Sequence, residues 1–192
     1  MVETRSTMQL ELGAAAPPFD LPDPDGRRWS LDALGEAPAV VVAFVCNHCP
    51  FVKHVRKGFG ALAADYAKRG VRVVAINSND FEAYPDDAPP RMKEEAAAAG
   101  WDFPYLVDET PGVALAYGAA CTPDFFLFGS DRRLVYRGQL DASRPGNGVP
   151  VTGADLGAAV DAVLDGRPVD PDQRPSIGCS IKWRPGNEPR TP

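Results

Sequence analysis

What this sequence lacks narrows its function first. No apolar run approaches the ~20 residues a membrane-spanning helix needs; the longest covers only residues 37–46. Residues 1–12 contain Glu3, Arg5 and Glu11 and no apolar stretch of the signal-peptide kind. A membrane partner is therefore not expected, and a cytoplasmic location is. No Lys/Arg cluster interrupts an acidic composition of 20 basic and 26 acidic residues, net −6. Such a surface repels nucleic acid and anionic lipid, so the expected partners are proteins or small molecules. Cysteine is scarce, with four in 192 residues. In a reducing cytosol these are not expected to be structural staples, and catalysis or metal binding is the better reading. A second Cys-x-x-Cys, or a Cys/His pair at matching spacing, is missing, which argues against a zinc ribbon. There is no internal repeat, and no cofactor is implied.

What is present suffices for one decorated domain. The chain is 44% hydrophobic and 24% charged, enough for an ordinary core. Residues 40–45, Val-Val-Val-Ala-Phe-Val, read as a strand covered on both faces. After Pro50 the period changes. Phe51, Val55, Phe59, Leu62 and Tyr66 recur at helical spacing, with an expected stop near Lys68-Arg69-Gly70 and an uncertain middle at Gly58 and Gly60. Residues 71–76 are a second core strand, completing a β-α-β unit. Further along, residues 80–90 read as a polar loop, 91–99 as a helix, 103–107 as a strand and 112–117 as a short helix. Residues 125–128 and 134–137 read as a hairpin, and 155–164 as the closing helix. Upstream, residues 19–31 suit a hairpin around the turn Asp23-Pro24-Asp25-Gly26, followed by a short helix capped by Ser30. From Gly166 onward the chain is rich in Pro, Gly and Asp and reads as an extended tail with little internal secondary structure.

The chemistry concentrates at Cys46-Asn47-His48-Cys49, between the first core strand and its helix. Two cysteines at i and i+3 lie one helical turn apart, close enough to form and break a disulfide with little backbone change. A helix N-terminus favours thiolate over thiol, and the thiolate is the attacking species in exchange. His48, when protonated, would lower a thiol pKa further. Pro50 at the first helical position would make Cys49 the N-cap and leave Cys46 on the preceding loop. Cys49 could then hold the lower pKa, but Cys46 is the expected nucleophile, because the second cysteine of such a pair is usually the more buried. The competing readings are a metal site of Cys46, Cys49 and either Cys121 or a histidine, and inert buried thiols.

The stretch from Leu12 to Leu164 resembles the thioredoxin superfamily, in the branch shared by peroxiredoxin-like (AhpC-TSA-type) and TlpA-like proteins. The resemblance rests on residues 13–22, Asp25-Gly26, Ser30-Leu31, the Cys-x-x-Cys, residues 118–123 and Tyr136-Arg137-Gly138. Residues 46–54, 121–128, 136–141 and 178–183 look more closely like a group of peroxiredoxin-like, thioredoxin-fold proteins. The resemblance implies an α/β thioredoxin-like fold over residues 10–165. A central mixed sheet is flanked by helices, with an N-terminal β-hairpin extension, and a tail, residues 166–192, packs on or near the domain. It implies a thiol–disulfide oxidoreductase, with a protein or small-molecule disulfide as substrate and a cellular thiol as reductant. A thiol peroxidase acting on hydroperoxides is the alternative. It also implies that Thr122-Pro123 is a cis bond facing the dithiol, where an incoming chain pairs like an added strand. The plainer reading is that Pro123 merely starts the following strand.

Three departures weaken each parent chemistry. The Thr/Ser that peroxiredoxins place three residues before their reactive cysteine is Ala43 relative to Cys46, or Cys46 itself relative to Cys49. The buried Asp that thioredoxins place six residues before the first cysteine is Val40, and the tryptophan before the motif is Val45. Five other residues are candidate helpers. Cys121, two residues before Pro123, could resolve a disulfide, hold a metal or simply be small and buried. Cys179 could reach the site as a resolving thiol if the tail packs back, or be an exposed bystander. His54 is a candidate for acid–base support, and Arg137, like Arg56, for orienting substrate, against a solvated surface role.

Overall fold

The structure is a computed structural model and describes residues 3–189. The chain runs β1 (Glu3–Arg5), β2 (Asp20–Pro22), β3 (Arg28–Ser30), β4 (Ala39–Phe44), α1 (Pro50–Ala67), β5 (Arg72–Asn77), α2 (Pro89–Ala99) and β6 (Tyr105–Val107). It continues through α3 (Gly112–Tyr117), β7 (Cys121–Thr122), β8 (Asp124–Gly129), β9 (Leu134–Gly138), α4 (Ala154–Leu164) and β10 (Ile177–Ser180). The central sheet has the order β6-β5-β4-β8-β9 and is mixed: β4, β5 and β6 are parallel, while β8 and β9 are antiparallel. The strand β4 is buried at every residue because it lies mid-sheet with a layer on each face. Val41 and Ala43 join the layer of α1, α2 and α4; Val40, Val42 and Phe44 join the layer of α3 and the hairpin.

The β-α-β reading holds, as does the hairpin of β2 and β3. The Ser30 hydroxyl accepts the Ala33 N–H at 3.0 Å, and the turn it closes is a 3₁₀ turn, Asp32–Leu34. The buried stripe of α1 is Val52, Val55, Phe59 and Ala63, with Phe51, Leu62 and Tyr66 packed at its flanks. The glycines that cast doubt on this helix are its contact points. A Cβ on Gly60 would lie 2.9 Å from the Ala99 carbonyl oxygen and 2.9 Å from Trp101 Cδ1. A Cβ on Gly58 would lie 2.5 Å from Val151 Cγ1.

The largest difference from expectation lies at the two ends of the chain. A second sheet has the order β1-β10-β7. Here Cys179 pairs with Thr122, and Ser180 with Cys121. On its other side β10 pairs with β1, Glu3 opposite Cys179. The tail thus gains a strand whose partners lie elsewhere in the sequence. Before β10, the Arg174 carbonyl accepts the Gln139 N–H at 3.1 Å; beyond it, the Ala120 carbonyl accepts the Ile181 N–H at 3.1 Å. Among the described residues no helix is long and apolar enough to cross a membrane.

Gly60→Ala should destabilise the fold. Crowding a well-packed site costs roughly 1–3 kcal/mol, against a gain of about 1 kcal/mol in helix propensity. Urea denaturation should show a lower midpoint at an unchanged slope. An equal or higher midpoint would mean that α1 and α2 can separate at no cost.

Candidate active site

The strand β4 ends at Phe44, and the chain turns through Cys46 before α1 begins at Pro50 with Cys49 as its N-cap. This is the arrangement expected from Pro50. None of the four cysteines is bonded in a disulfide. The expected difference in exposure between the first two is not found: Cys46 is 1% exposed and Cys49 0%. Acidity separates them instead. A hydrogen bond from the Cys46 thiol is the main cause that draws Cys49 down, and burial opposes it. The Cys179 thiol and the Val52 and Cys179 backbone N–H groups add to the lowering, and the Cys49 pKa falls to about 5. Cys46 moves the opposite way. Burial, its bond to Cys49 and the nearby Asp87 charge push it well above the ordinary thiol value. The Cys49 sulfur also lies 3.2 Å from the Thr122 carbonyl oxygen. That oxygen can only accept, so it opposes the thiolate, and the two thiols and two amides outweigh it.

The Thr122-Pro123 peptide is cis. Both residues are buried, and the ladder edge of Thr122 is already paired with Cys179. The hydroxyl missing at Ala43 is supplied from another direction, because Thr122 Oγ1 lies 3.2 Å from Cys46 Sγ. Val40 packs in the layer on the other face of the sheet from the cysteines, so no acid at that position would meet the dithiol.

Asp87 lies within residues 80–90, whose composition is that of a polar loop, yet it meets the dithiol spacer. That loop folds back through a 3₁₀ turn, Pro85–Asp87, and Asp87 is 0% exposed. Its carboxylate clamps the spacer between the cysteines. Oδ1 accepts the Asn47 N–H at 2.7 Å, and Oδ2 lies 2.7 Å from His48 Nδ1 and accepts from Asn79 Nδ2 at 2.8 Å. Asn47 also donates to the Asp86 carbonyl at 2.8 Å and accepts from the Tyr105 hydroxyl at 2.9 Å. His48 stacks on Tyr84, ring centroids 5.4 Å apart. The hydrogen bond to Asp87 raises the His48 pKa above 6.5, against burial. Burial pushes Asp87 up, but the bonds from His48, Asn79 and the Asn47 amide more than offset it, leaving it below 3.8. His48 therefore commits its proton to Asp87 first. Cys46, His48 and Asp87 form a group whose potential metal-ligating atoms all lie within 4.8 Å of one another, and Cys121 is not part of it.

The remaining candidates fall into place. Cys179 is not an exposed bystander: it is 1% exposed, with its sulfur 2.8 Å from Cys49 Sγ. Cys121 is 0% exposed, and burial pushes its thiol pKa strongly up. His54 Nε2 lies 2.6 Å from Ser143 Oγ and ties α1 to the loop ahead of α4. Arg137 lies on β9, where burial lowers its pKa and the charges of Glu11 and Asp124 oppose this. Its backbone N–H donates to Gln173 Oε1 at 3.0 Å. Arg56 is paired with Glu95 of α2 at 2.6 Å.

A mixed sheet with a dithiol at the first helix, beside a cis-proline, defines a thioredoxin-like redox fold. Residues 12–137 match the AhpC/TSA family, and the chain belongs to it. A crystal structure of an uncharacterized conserved protein from Geobacillus kaustophilus is 56% identical, with a TM-score of 0.94, covering 97% of this chain and 98% of that one. A hypothetical protein from Sinorhizobium meliloti 1021 is 54% identical, with a TM-score of 0.93 and coverage of 95% and 100%. At 20% identity, a peroxidoxin from Mycobacterium tuberculosis shares the fold, with a TM-score of 0.59 and coverage of 82% and 96%. Among curated proteins none matches.

The His48–Asp87 pair sets a pH window. The raised His48 pKa contributes stability fully present below 6.5 and lost as pH rises through the folded value. The lowered Asp87 pKa contributes stability present above 3.8 and lost as pH falls through its folded value. In Asp87→Asn, burial and the Lys182 charge lower the His48 pKa and outweigh the smaller upward pull of Cys49. The His48 titration midpoint, followed by imidazole NMR signals, should drop from above 6.5 to no higher than that value. An unchanged midpoint would show that Asp87 does not hold the proton.

Proposed function

We propose that this chain is a thiol–disulfide oxidoreductase in which Cys49 attacks and Cys46 completes the Cys46–Cys49 disulfide. The observation that carries the reading is the Cys49 sulfur at the N-cap of α1, with a thiol on either side lowering its pKa. A thiolate is the competent nucleophile near neutral pH, and a pKa below ambient pH keeps it populated. The Cys49 thiolate breaks the substrate S–S bond, forms a mixed disulfide and expels one thiolate. Cys46 then gives up its proton and attacks the Cys49 sulfur, and the second substrate thiolate leaves with that proton. A cellular thiol returns the pair to the reduced state. This reverses the usual division of labour, in which the first cysteine attacks.

Thr122 and Pro123 are the proposed docking edge for an incoming chain. Their ladder is occupied by β10, so docking there as an added strand requires β10 to yield. Hydroperoxide reduction is the rival. The Thr122 hydroxyl beside Cys46 favours it, but Cys46 is the thiol whose ionisation is suppressed. The group of Cys46, His48 and Asp87 is accounted for by the shared proton of His48 and Asp87, which leaves metal binding the weaker reading.

The reduced protein should consume glutathione disulfide, release two glutathione thiols and yield a Cys46–Cys49 disulfide on acid quench and peptide mapping. Cys49→Ser should release none. The rate of Cys49 alkylation should have its midpoint near pH 5. Hydrogen peroxide loss should be no faster than with free cysteine. Fast peroxide consumption without disulfide consumption would replace this reading with a peroxidase.

A further inference from the structure

We propose that Cys179 is a third redox residue, which resolves the mixed disulfide at Cys49 as a Cys49–Cys179 disulfide before Cys46 takes over. This rests on the exchange chemistry proposed above and adds a step inside it: Cys179 displaces the second substrate thiolate, and Cys46 then forms the final Cys46–Cys49 disulfide by exchange.

Three independent features place Cys179 for this role. Its sulfur lies 2.8 Å from Cys49 Sγ, nearer than non-bonded sulfurs ordinarily rest and short of the about 2.05 Å of a bond. Its backbone is fixed in register by the Thr122 pairing on one side and the Glu3 pairing on the other. The register demands a glycine next to it: a Cβ on Gly178 would lie 1.9 Å from the Thr122 carbonyl oxygen and 3.1 Å from Pro123 N. Only a residue without a side chain lets this strand lie against the cis bond.

The strand is also tied to the clamp on the dithiol spacer. The Lys182 N–H donates to Asn79 Oδ1 at 2.8 Å, and Asn79 in turn donates to Asp87. The Lys182 ammonium bonds the Ser180 carbonyl at 2.7 Å and its hydroxyl at 2.9 Å. Burial, first, and the neighbouring Cys49 hold the Cys179 pKa up at about 12, and the Lys182 charge pulls more weakly toward the ionised form. On the other side of Cys49, Cys46 faces the Asp87 carboxylate, which disfavours its ionisation. Of the two thiols beside Cys49, Cys179 therefore has the charge environment better suited to the second attack.

The steps balance. The Cys49 thiolate attacks a disulfide R–S–S–R, forming Cys49–S–S–R and releasing R–S⁻. The Cys179 sulfur attacks Cys49 Sγ, forming Cys49–Cys179. The second R–S⁻ leaves and takes up the Cys179 proton. The substrate disulfide is the oxidant and gains both electrons. Cys46 then attacks Cys49 Sγ, restoring the Cys179 thiol and passing its proton there, with no net oxidation. Because the sulfurs are 0–1% exposed, β10 must lift for the first step, in which Cys49 keeps the Cys46 thiol and the Val52 amide as donors, and close for the second.

The test uses Cys46→Ser in the full-length protein, with glutathione disulfide as the probe. The expected product is a Cys49–Cys179 peptide pair with two glutathione thiols released per chain. An arrest at a Cys49–glutathione adduct with one thiol released would overturn the role of Cys179 while leaving the exchange chemistry intact. No reaction, in the variant or the wild type, would sink both. In wild-type protein, which needs no altered fold, early quench points should contain Cys49–Cys179 ahead of Cys46–Cys49; its absence at every time point would overturn the proposal. Gly178→Ala should loosen β10 and speed Cys49 alkylation by roughly tenfold or more, the scale of a close overpacking contact. An unchanged rate would show that β10 does not govern access.

Discussion

A sulfur that carries charge at zero exposure must find its solvation inside the protein, and this constraint organises the site. Water cannot serve Cys49, so its partners are the Cys46 and Cys179 thiols and the Val52 and Cys179 amides. Each comes from a different part of the chain. The turn after β4 delivers Cys46, the first turn of α1 delivers the Val52 amide, and β10 delivers Cys179. Removing β10 would strip Cys49 of two of these donors at once. The chain therefore brings its last strand across the molecule to where its first helix begins. The edge of β7 that receives it offers a ready ladder of backbone groups.

The same economy explains Asp87. The spacer Asn47-His48 is a loop beside a buried reactive centre, and its backbone and ring both need partners. One carboxylate satisfies both, and its own charge is balanced by the His48 proton. The arrangement sets the negative charge next to Cys46. The two sulfurs, three residues apart, thereby acquire opposite tendencies. Burial acts on both, and local charge and hydrogen bonding set their order.

The parts of this protein legible in its sequence are those set by local pattern. The apolar run of β4, the three- and four-residue spacing of α1 and the β-α-β alternation each depend on neighbours within a few turns. The family resemblance added the cis bond at Thr122-Pro123. What stayed hidden depends on long-range pairing. The residues of β1, Glu3-Thr4-Arg5, and of β10, Ile177-Gly178-Cys179-Ser180, have no strand periodicity of their own; each becomes a strand by finding the other and β7. Asp87 sits among Pro85, Asp86 and Pro89, a composition that reads as solvent-exposed loop. Only its closure onto the spacer, 40 residues away, reveals it. Gly178 enters the sequence pattern only as the first residue of a stretch that carries the resemblance, and its meaning comes from the carbonyl it faces.

The departures from the parent families can be weighed in the same physical terms. An acid at position 40 would help a dithiol only if its side chain reached the cysteines, and the alternation of β4 sends that position to the other layer. A hydroxyl three residues before the first cysteine is likewise redundant when Thr122 places one 3.2 Å from it. A hydroxyl beside Cys46 and the groups that lower the Cys49 pKa are instead brought in from across the fold. The centre is correspondingly sensitive to the segments that bring them. A change that shifts β10 alters the acidity of Cys49 without touching the Cys-x-x-Cys itself.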